Sequence, residues 1–591
     1  MTRDQFSLLN VLRTNEINNQ RSLASFLGMA LGKTNRLLSE ARQGGLIDDE
    51  YKLTADGYKA MEPYKVDNAI IMAAGLSSRF APLSYEKPKG LLVVKGEVLI
   101  ERQIRQLREA GISDITVVVG YMKEKFFYLH EKFDVNIVIN DDYFRYNNPS
   151  TLIRVKDLLK NTFICSSDNY FVENVFEPFV YDSYYSAVYQ EGESDEWGLL
   201  TDSNNRIVKI DHSPKDMWIM MGHAFFSKSF SEKFIPILEK QYSKESVRYE
   251  LWEHILEENL KRLSISMRQY STDVIKEFDS LEDLRAFDEK YIQNSGSEIF
   301  SNICNVCSCE ENDIKDISVV KQGLTNLSFR FSCKGKSFIY RHPGVGTEKY
   351  ISRESEAFSM GVAKKLGLDS TIIEINGKEG WKISTFIENA HTLNYHNKDE
   401  VKQALGLVKK LHDAAIVSPY DFDIWQRTLN FIDLILDHRK DFSDFNTLFN
   451  DMKELYEYTK TDGVKKILCH CDCYDPNFLV DKNGVVTLID WEYSGNDDPA
   501  NDLGTFICCS DYTFEEALEV INIYYGCKPT EKELHHCLAY VAIASYYWFV
   551  WAIYQESIGN MVGDYLFLWY QNSKYYMNKA KEYYERNRKN G

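Results

Sequence analysis

The sequence predicts a multidomain chain of mixed α/β and α+β class, and three observations predict it. The length of 591 residues is too great for one hydrophobic core, since cores stop growing at about 250–300 residues. In the middle of the chain, apolar β-rich runs alternate with helical spacing, the pattern of a parallel sheet covered by helices. Further on, a β-alternating stretch precedes a long helical one, the order of a small β lobe and a larger helical lobe. The expected divisions are residues 1–65, 66–295 and 296–591.

The first division reads as short helices followed by a hairpin. "SLASFLGMALGKTNRLLSEARQGGLI" gives a helix, a glycine-containing turn and a second amphipathic helix. "DDEYKLTADGYKAM" adds a wing and a closing helix. This resembles a winged helix-turn-helix of the MarR-like kind, with Lys33, Arg36 and Arg42 on the recognition helix. Two uses compete, DNA contact and a small packing module. The segment is nearly balanced in charge, whereas an operator binder shows a basic footprint. The chain as a whole carries a net charge of −19, which makes it a poor ligand for polyanions.

The second division begins with "NAIIMAA", then "VLIERQIRQLREAG" with helical spacing, then "DITVVVG" and "VNIVIND". Strand–helix–strand order argues a parallel sheet. "IIMAAGLSSRFAPLSYEKPKG" runs from the first strand into a Gly/Ser-rich loop, where Gly75 lets backbone N–H groups approach phosphates. Arg79 and Lys89 add cations for a triphosphate and for charge developing at the α-phosphorus. "ICSSDNYF" is an apolar strand ending in Asp168, the place where an α/β sheet puts ligands.

These motifs, with "INDDYFRYNNPSTL", resemble the nucleotidyltransferases that make nucleotide-diphospho compounds, most closely the bacterial CTP:phosphocholine cytidylyltransferases. The resemblance implies nucleotide contacts from Ala73, Ala74, Gly75, Ser77 and Ser78, and from Gly120 and Tyr121. The usual second loop glycine is Ser77 here. It makes Lys89 and Arg79 catalytic and gives Asp168 to Mg²⁺. It puts a second metal carboxylate in "ELWEHIL", best fitted by Glu253 with Glu250 as rival. Trp197 and Trp252 are expected to box a quaternary ammonium by cation–π attraction; the competing reading is core tryptophan.

A connector, "YIQNSGSEIFSNICNVCSCEEND", follows. Cys304, Cys307 and Cys309 there hint at a metal but lack an evident fourth ligand nearby, so a helix or linker is expected. In the third division, "ILCHCDCYDPNFLVD" looks at first like a metal knot. In an extended segment Cys469, Cys471 and Cys473 point one way while His470 and Asp472 point the other, and no second cysteine pair at finger spacing follows. Without the cysteines, His470, Asp472 and Asn477 form H-x-D-x-x-x-x-N. Asp490 in "LIDWEYSG" comes back beside Asn477 through the hairpin "FLVDKNGVVTLID". This is the logic of a kinase catalytic loop and its metal-binding aspartate.

The motif resembles the choline kinase and aminoglycoside phosphotransferase group, more closely the bacterial choline kinases. The resemblance makes Asp472 the residue that accepts or orients the hydroxyl proton, and Asn477 and Asp490 the holders of Mg²⁺. Gly323 in "QGLTNLSFRF" belongs to the nucleotide loop, Arg341 stands where protein kinases use Lys, and Glu354 is its ion-pair partner. "ISTFIENAHTL" is the hinge, with adenine contacts at Phe386 and Ile387. Trp548 and Trp551, three apart on a helix and so on one face, are implied to form the choline pocket, with Glu492, Tyr493 and Asp497 contributing to the cationic site or metal; the competing reading of the two tryptophans is a buried aromatic stripe.

The expected function is therefore bifunctional. ATP phosphorylates choline, and CTP then condenses with phosphocholine to CDP-choline and pyrophosphate. The rivals are ethanolamine or another amino alcohol, and a choline-responsive transcription regulator that uses the enzyme domains as sensors. "MTRDQFSLLN" lacks an apolar run and no run of about 20 apolar residues occurs, so no secretory signal or membrane span is expected. Twelve cysteines without a signal point to reduced thiols in the cytoplasm.

Overall fold

A computed structural model of the chain describes residues 1–15, 17, 19–77, 80–322, 326–344, 351–435 and 438–590, with side chains except at 321–322, 440 and 587–590. It has two compact units, Met1–Ser301 and Asn302–Gly591. The expected boundary at 65/66 does not separate units, and the later one moves from 295/296 to 301/302.

The first unit opens with helices α1 (Arg3–Thr14), α2 (Gln20–Leu27), α3 (Leu31–Gln43) and α4 (Ala55–Met61). A Thr2/Gln5 capping box starts α1, and Gly28 in the left-handed region ends α2, both common terminus signals. An antiparallel bridge joins Ile47 to Leu53 between α3 and α4. Leu8, Leu9, Leu23, Leu37 and Met61 form the core of this segment. The rings of Phe6, Tyr64 and Tyr181 pack together at 5.2–5.4 Å, and Lys65 bridges to Phe179. That aromatic contact ties the four helices to the α/β body.

The α/β body is a nine-stranded sheet. Strands β1 (Asn68–Ala73), β2 (Ile115–Val119), β3 (Asn136–Ile139) and β4 (Thr162–Ser166) are parallel in the order 3-2-1-4, and helix α5 (Leu99–Glu109) connects the first two. β1 and β2 are apolar on both faces and buried, as strands covered by helices on both sides must be. A short strand β5 (Asn169–Phe171) follows β4. Antiparallel strands β6 (Tyr184–Glu193), β7 (Gly198–Thr201), β8 (Ile207–Asp211) and β9 (Lys215–Phe226) extend the sheet beyond β4. Helices α6 (Lys228–Tyr242) and α7 (Trp252–Glu258) and strand β10 (Ser266–Tyr270) on β6 complete it, and strand β11 (Ile275–Glu277) pairs with β5 in a separate two-stranded sheet.

The second unit starts with a five-stranded antiparallel sheet. It contains β12 (Lys315–Gln322), β13 (Asn326–Cys333), β14 (Lys336–Pro343), β15 (Ile372–Ile375) and β16 (Lys382–Thr385), in the order 12-13-14-16-15. Helix α8 (Arg353–Leu366) lies between β14 and β15 in sequence. The larger lobe contains α9 (Lys398–Asp413), strand β17 (Ile467–Cys469), the hairpin β18 (Phe478–Val480) and β19 (Val486–Leu488), and strand β20 (Gly495–Asp497). Helices α10 (Ala500–Cys508), α11 (Glu531–Ser557) and α12 (Tyr565–Asn590) close it. By length and composition α11 is apolar enough to cross a membrane, which the sequence reading did not expect, yet 89% of its apolar window is buried inside the protein. It is the central core helix of this lobe.

Candidate functional site

In the first unit the chain leaves β1 across the carboxyl ends of the parallel strands, where open α/β sheets bind ligands. A cleft of ≈ 460 Å³ opens there, lined by Ala73, Ala74, Gly75, Ser77, Lys89 and Asp168 among others. Ser78 and Arg79 lie outside the described residues. Ser77 has φ 49°, a conformation glycine adopts without steric cost, which explains why a second glycine is usual there. A Cβ on Gly75 meets nothing within 4 Å, whereas one on Gly90 would come 2.8 Å from Ser167 and one on Gly120 2.7 Å from Tyr143. Tyr121 N–H donates to the Ala74 carbonyl at 3.1 Å. Gly120 and Tyr121 thus brace the loop from behind and are not part of the cleft wall. The wall also includes Asn140, Arg145 and Asn148, which the sequence reading did not single out.

Lys89 is buried, with Nζ 2.9 Å from Asp168 Oδ2 and 3.8 Å from Asp279 Oδ1. Burial pulls its pKa down, but the charges of Asp168 and Glu277 outweigh this and hold it above the ordinary value. Burial, with the Asp168 charge, pushes the Glu277 carboxyl up to about 8. Strand pairing explains the cluster. β11 runs antiparallel to β5 with Glu277 opposite Asn169, which delivers Asp279 to the Asp168 end of the cleft. Asp168 Oδ1 is buried without a hydrogen-bond partner. Unspent carboxylate oxygens are what Mg²⁺ takes, so Asp168 fits such an ion, and Asp279 lies across Lys89 from it.

Glu253, the expected second carboxylate, is outside the Lys89 ion pairs but bonds Asn148 of the cleft wall. On the first turn of α7 it accepts from Tyr185 Oη at 3.1 Å and from Asn148 Nδ2 at 3.4 Å, and burial pushes it up to about 7. Its rival Glu250 is half-buried ahead of the same helix. Trp252, expected in an ammonium box, is 1% exposed and packs on Tyr185, Phe226 and Phe234. It is a core residue. Trp197 is half-buried, with the rings of His212 and His254 each 4.5 Å away.

In the second unit the catalytic-loop motif follows β17. The carboxylate of Asp502, on α10, accepts the N–H groups of His470 and Cys471 at 2.9 and 2.6 Å. It also bonds His412 Nε2 at 2.9 Å. His412, Cys469 and Asp502 come within metal-ligand reach of one another, but the carboxylate is already spent on these bonds. His470 is fully buried, bonded to the Ile489 carbonyl and held neutral by burial, so it supports the loop from within. Cys469, Cys471 and Cys473 are likewise buried in the core. Cys471 adopts φ 65°, so the segment is not the simple extended strand from which opposite-facing side chains were expected.

Asn477 Nδ2 donates to both the carbonyl and Oδ2 of Asp472, at 2.8 and 2.9 Å. The β18–β19 hairpin returns the chain so that Ile489 N–H reaches the Asn477 carbonyl at 2.8 Å, and Asp490 follows. Asp472, Asn477 and Asp490 are brought together as the spacing required.

Arg341 pairs with Glu356 through both guanidinium nitrogens, and not with Glu354. Glu354 sits two residues earlier, about 200° round the helix, and meets Tyr420 Oη at 3.3 Å on the surface. Glu356 is 0% exposed and also meets Arg353 at 3.1 Å and Lys382 at 3.2 Å. Burial would raise its pKa, but these cations hold it well below the carboxylate range. Lys382, unnoticed in the sequence, also lies 3.4 Å from Asp490. Sheet register explains this, because Lys382 pairs directly with Arg341.

Glu492 accepts from Asn326 at 2.8 Å and faces Arg353 and Arg341, so it belongs to this ionic group and not to a choline pocket. Asp497 is buried against the Ile424 N–H and Asn501, a structural position. Phe386 N–H is taken by the Ser337 carbonyl at 2.9 Å and so is not available to an adenine. Ile387 beside it is half-buried, and Gly323 lies outside the described residues.

Trp548 and Trp551 stand edge to face at 5.4 Å. Trp569 of α12 joins them at 5.8 and 6.3 Å, Tyr565 stacks on Trp569, and Tyr493 meets Trp548 at 6.3 Å. The Asp472 charge reaches Tyr493, so this aromatic group borders the catalytic loop.

Residues 317–564 match the choline/ethanolamine kinase family model, and residues 69–175 match the MobA-like NTP transferase domain. Choline-phosphate cytidylyltransferase of Streptococcus pneumoniae (strain ATCC BAA-255 / R6) is 36% identical over 221 residues, 37% of this chain and 96% of that protein. The 2-aminoethylphosphonate cytidylyltransferase of Lancefieldella rimae is 34% identical over 229 residues, 38% of this chain and 93% of that protein. Protein LicA of Haemophilus influenzae is 25% identical over 256 residues, 41% of this chain and 94% of that protein.

Proposed function

We propose two consecutive reactions for this chain, which belongs to the cytidylyltransferase family of the pneumococcal choline-phosphate enzyme and carries a choline/ethanolamine kinase domain behind it. The second unit phosphorylates choline with ATP. The first unit joins phosphocholine to CTP, giving CDP-choline and pyrophosphate. The observation that carries this reading is that one chain spans nearly the whole length of relatives of two kinds, one in each half.

In the first unit Lys89 stabilises charge at the α-phosphorus, and Arg79 and the loop from Ala73 to Ser78 receive the triphosphate. Asp168 would hold Mg²⁺. In the second, Asp472 takes or orients the hydroxyl proton, Asn477 and Asp490 would hold Mg²⁺, and Arg341, Lys382 and the loop at Gly323 serve ATP. Bound Mg²⁺ neutralises and aligns the phosphates. Trp548, Trp551, Trp569 and Tyr493 attract the trimethylammonium group by cation–π contact.

A second reading has support of its own. One relative is named for 2-aminoethylphosphonate and the kinase model covers ethanolamine, both with a primary ammonium. The aromatic group favours the quaternary one, since a primary ammonium is better held by carboxylates. The test supplies ATP, CTP and Mg²⁺ with choline, ethanolamine or 2-aminoethylphosphonate in parallel. Choline should give the highest kcat/KM and CDP-choline as product. Preference for either primary amine would replace the choline assignment.

Residues 1–65 read as a winged helix-turn-helix used for packing and not for DNA. Lys33, Arg36 and Arg42 are each paired with an acid, at 2.7, 3.6 and 3.4 Å. A choline-dependent shift of duplex DNA in a gel would overturn this and revive the regulator reading. A cytoplasmic setting suits the free thiols.

A further inference from the structure

Three cations meet on the buried Glu356 carboxylate of α8, and they are not equivalent. Arg341 on β14 and Lys382 on β16 stand directly opposite each other across the sheet, a placement that like charges make unfavourable. Glu356 Oε1 offsets this by accepting from both. Arg341 gives both of its terminal nitrogens to the two Glu356 oxygens, and one of them also donates to the Gly380 carbonyl at 3.1 Å. Its side chain is 4% exposed. Arg353 is committed in the same way, to Glu356 Oε2 and to Asn326 Oδ1, each at 3.1 Å.

Lys382 differs in exposure and in reach. Its Nζ lies 3.2 Å from Glu356 Oε1 and 3.4 Å from Asp490 Oδ1. Its side chain is 14% exposed and that of Asp490 34%, so exposure rises from Arg341 through Lys382 to Asp490. An ammonium on a four-carbon stem can turn from one partner to another. A guanidinium forked onto a carboxylate must break two bonds to do so. Charge balance points the same way. Among the described residues, Arg341, Arg353 and Lys382 face the buried carboxylates of Glu356 and Glu492, which leaves one positive charge over. In the structure Asp490 takes that charge through Lys382.

We propose that Lys382 is the cation that meets the ATP phosphates in the second unit, and that Arg341, which stands where protein kinases use Lys, anchors Glu356 and acts only through it. The inference rests on the kinase reading above. Without nucleotide, Lys382 holds the Asp490 carboxylate. With nucleotide and its ion bound, Asp490 exchanges Lys382 for the ion, and Lys382 exchanges Asp490 for a phosphate oxygen. Neither charge is left bare by the exchange, which matters because a stranded, partly buried charge is costly. Arg341 and Arg353 keep their hold on Glu356 throughout, so the sheet and α8 stay joined while Lys382 moves. The role that one β-strand lysine plays in protein kinases is thus divided here between two neighbouring strands.

The test starts with the unaltered full-length chain and an acyl phosphate of ATP, whose reactive carbonyl sits beside the phosphates. Attack by a lysine Nζ forms an amide, breaks the acyl C–O bond to release ATP, and gives up one proton. Peptide mapping should find the amide on Lys382, and ATP should block it while CTP does not. Labelling confined to other lysines, or labelling of Lys382 that ATP fails to block, overturns the proposal. Lys382→Met should lower kcat/KM for ATP in choline phosphorylation by about 10²-fold. In EDTA, with CTP present to fill the first unit, it should weaken ATP binding about tenfold and leave adenosine binding unchanged. Lys382→Arg keeps the charge and should recover most of both losses. Equal weakening of ATP and adenosine would mean a packing role and overturn the assignment, as would unchanged ATP binding. If the Met variant fails to fold, the labelling of the wild type decides alone. A wild type that labels at Lys382 yet phosphorylates no choline upholds the phosphate contact and refutes the choline reading instead.

Discussion

The two charged groups are arranged differently. In the first, one ammonium, Lys89, lies between the carboxylates of Asp168 and Asp279. In the second, Glu356 is gripped by Arg341, Arg353 and Lys382, and Glu492 faces both arginines. The first arrangement leaves charge facing the cleft. The second is mostly internal, and its outlet is Lys382, which reaches from Glu356 to Asp490. Charge in the first group therefore faces the cleft, while much of the charge in the second joins a sheet to a helix.

The sharpest break in this comparison separates the two reactions. Asp472→Asn should lower phosphocholine formation by about 10²–10⁴-fold and leave CMP transfer to supplied phosphocholine intact. Lys89→Ala should do the reverse, by about 10²–10³-fold. Separate assays of each step read this, and loss of both steps in a folded variant would refute two independent sites. Next, Glu356→Ala should cost the second unit about 3–5 kcal/mol, because it strands buried cations. Glu354→Ala should stay within about 0.5 kcal/mol. Denaturant melts with equal effects would sink the assignment of Glu356 as the buried partner.

A smaller effect is expected in the aromatic group. Trp548→Ala should raise the KM for choline by the equivalent of about 0.5–2 kcal/mol, and that for ethanolamine less; equal changes would argue for a packing role only. The smallest is a pH slope. His536 lies between Asp462 and Asp498 at 2.8 and 3.0 Å. Burial lowers its pKa, but these carboxylates raise it from 6.5 to about 9. A raised folded pKa means its contribution is complete below about pH 6.5 and fades as pH climbs through about 9. Thermal melts of the second unit should show a decline over that window that His536→Gln lacks.

What was legible in the sequence was local. Asp472, Asn477 and Asp490 stand close in the chain, and one hairpin brings them together. The strand-to-loop passage at Gly75 was equally readable. The misses share a physical cause, contact set by register between distant segments. Asp279 reaches Lys89 only because β11 pairs with β5, and Lys382 reaches Arg341 only because β16 pairs with β14. Glu354 and Glu356 differ by two positions, and which one faces inward depends on how α8 is rolled against its neighbours. Trp252 and Trp197 carry the same letter, and only burial tells a core ring from an available one.

The aromatic stack of Phe6, Tyr64 and Tyr181 has a practical corollary. A recombinant truncation beginning at residue 66 would strip two of three stacked rings and leave Tyr181 and Phe179 on bare surface. Such a fragment should express as a sticky, aggregation-prone protein. In gene-fusion terms the four helices behave as a built-in part of the cytidylyltransferase half, and they would have to travel with it in any domain swap.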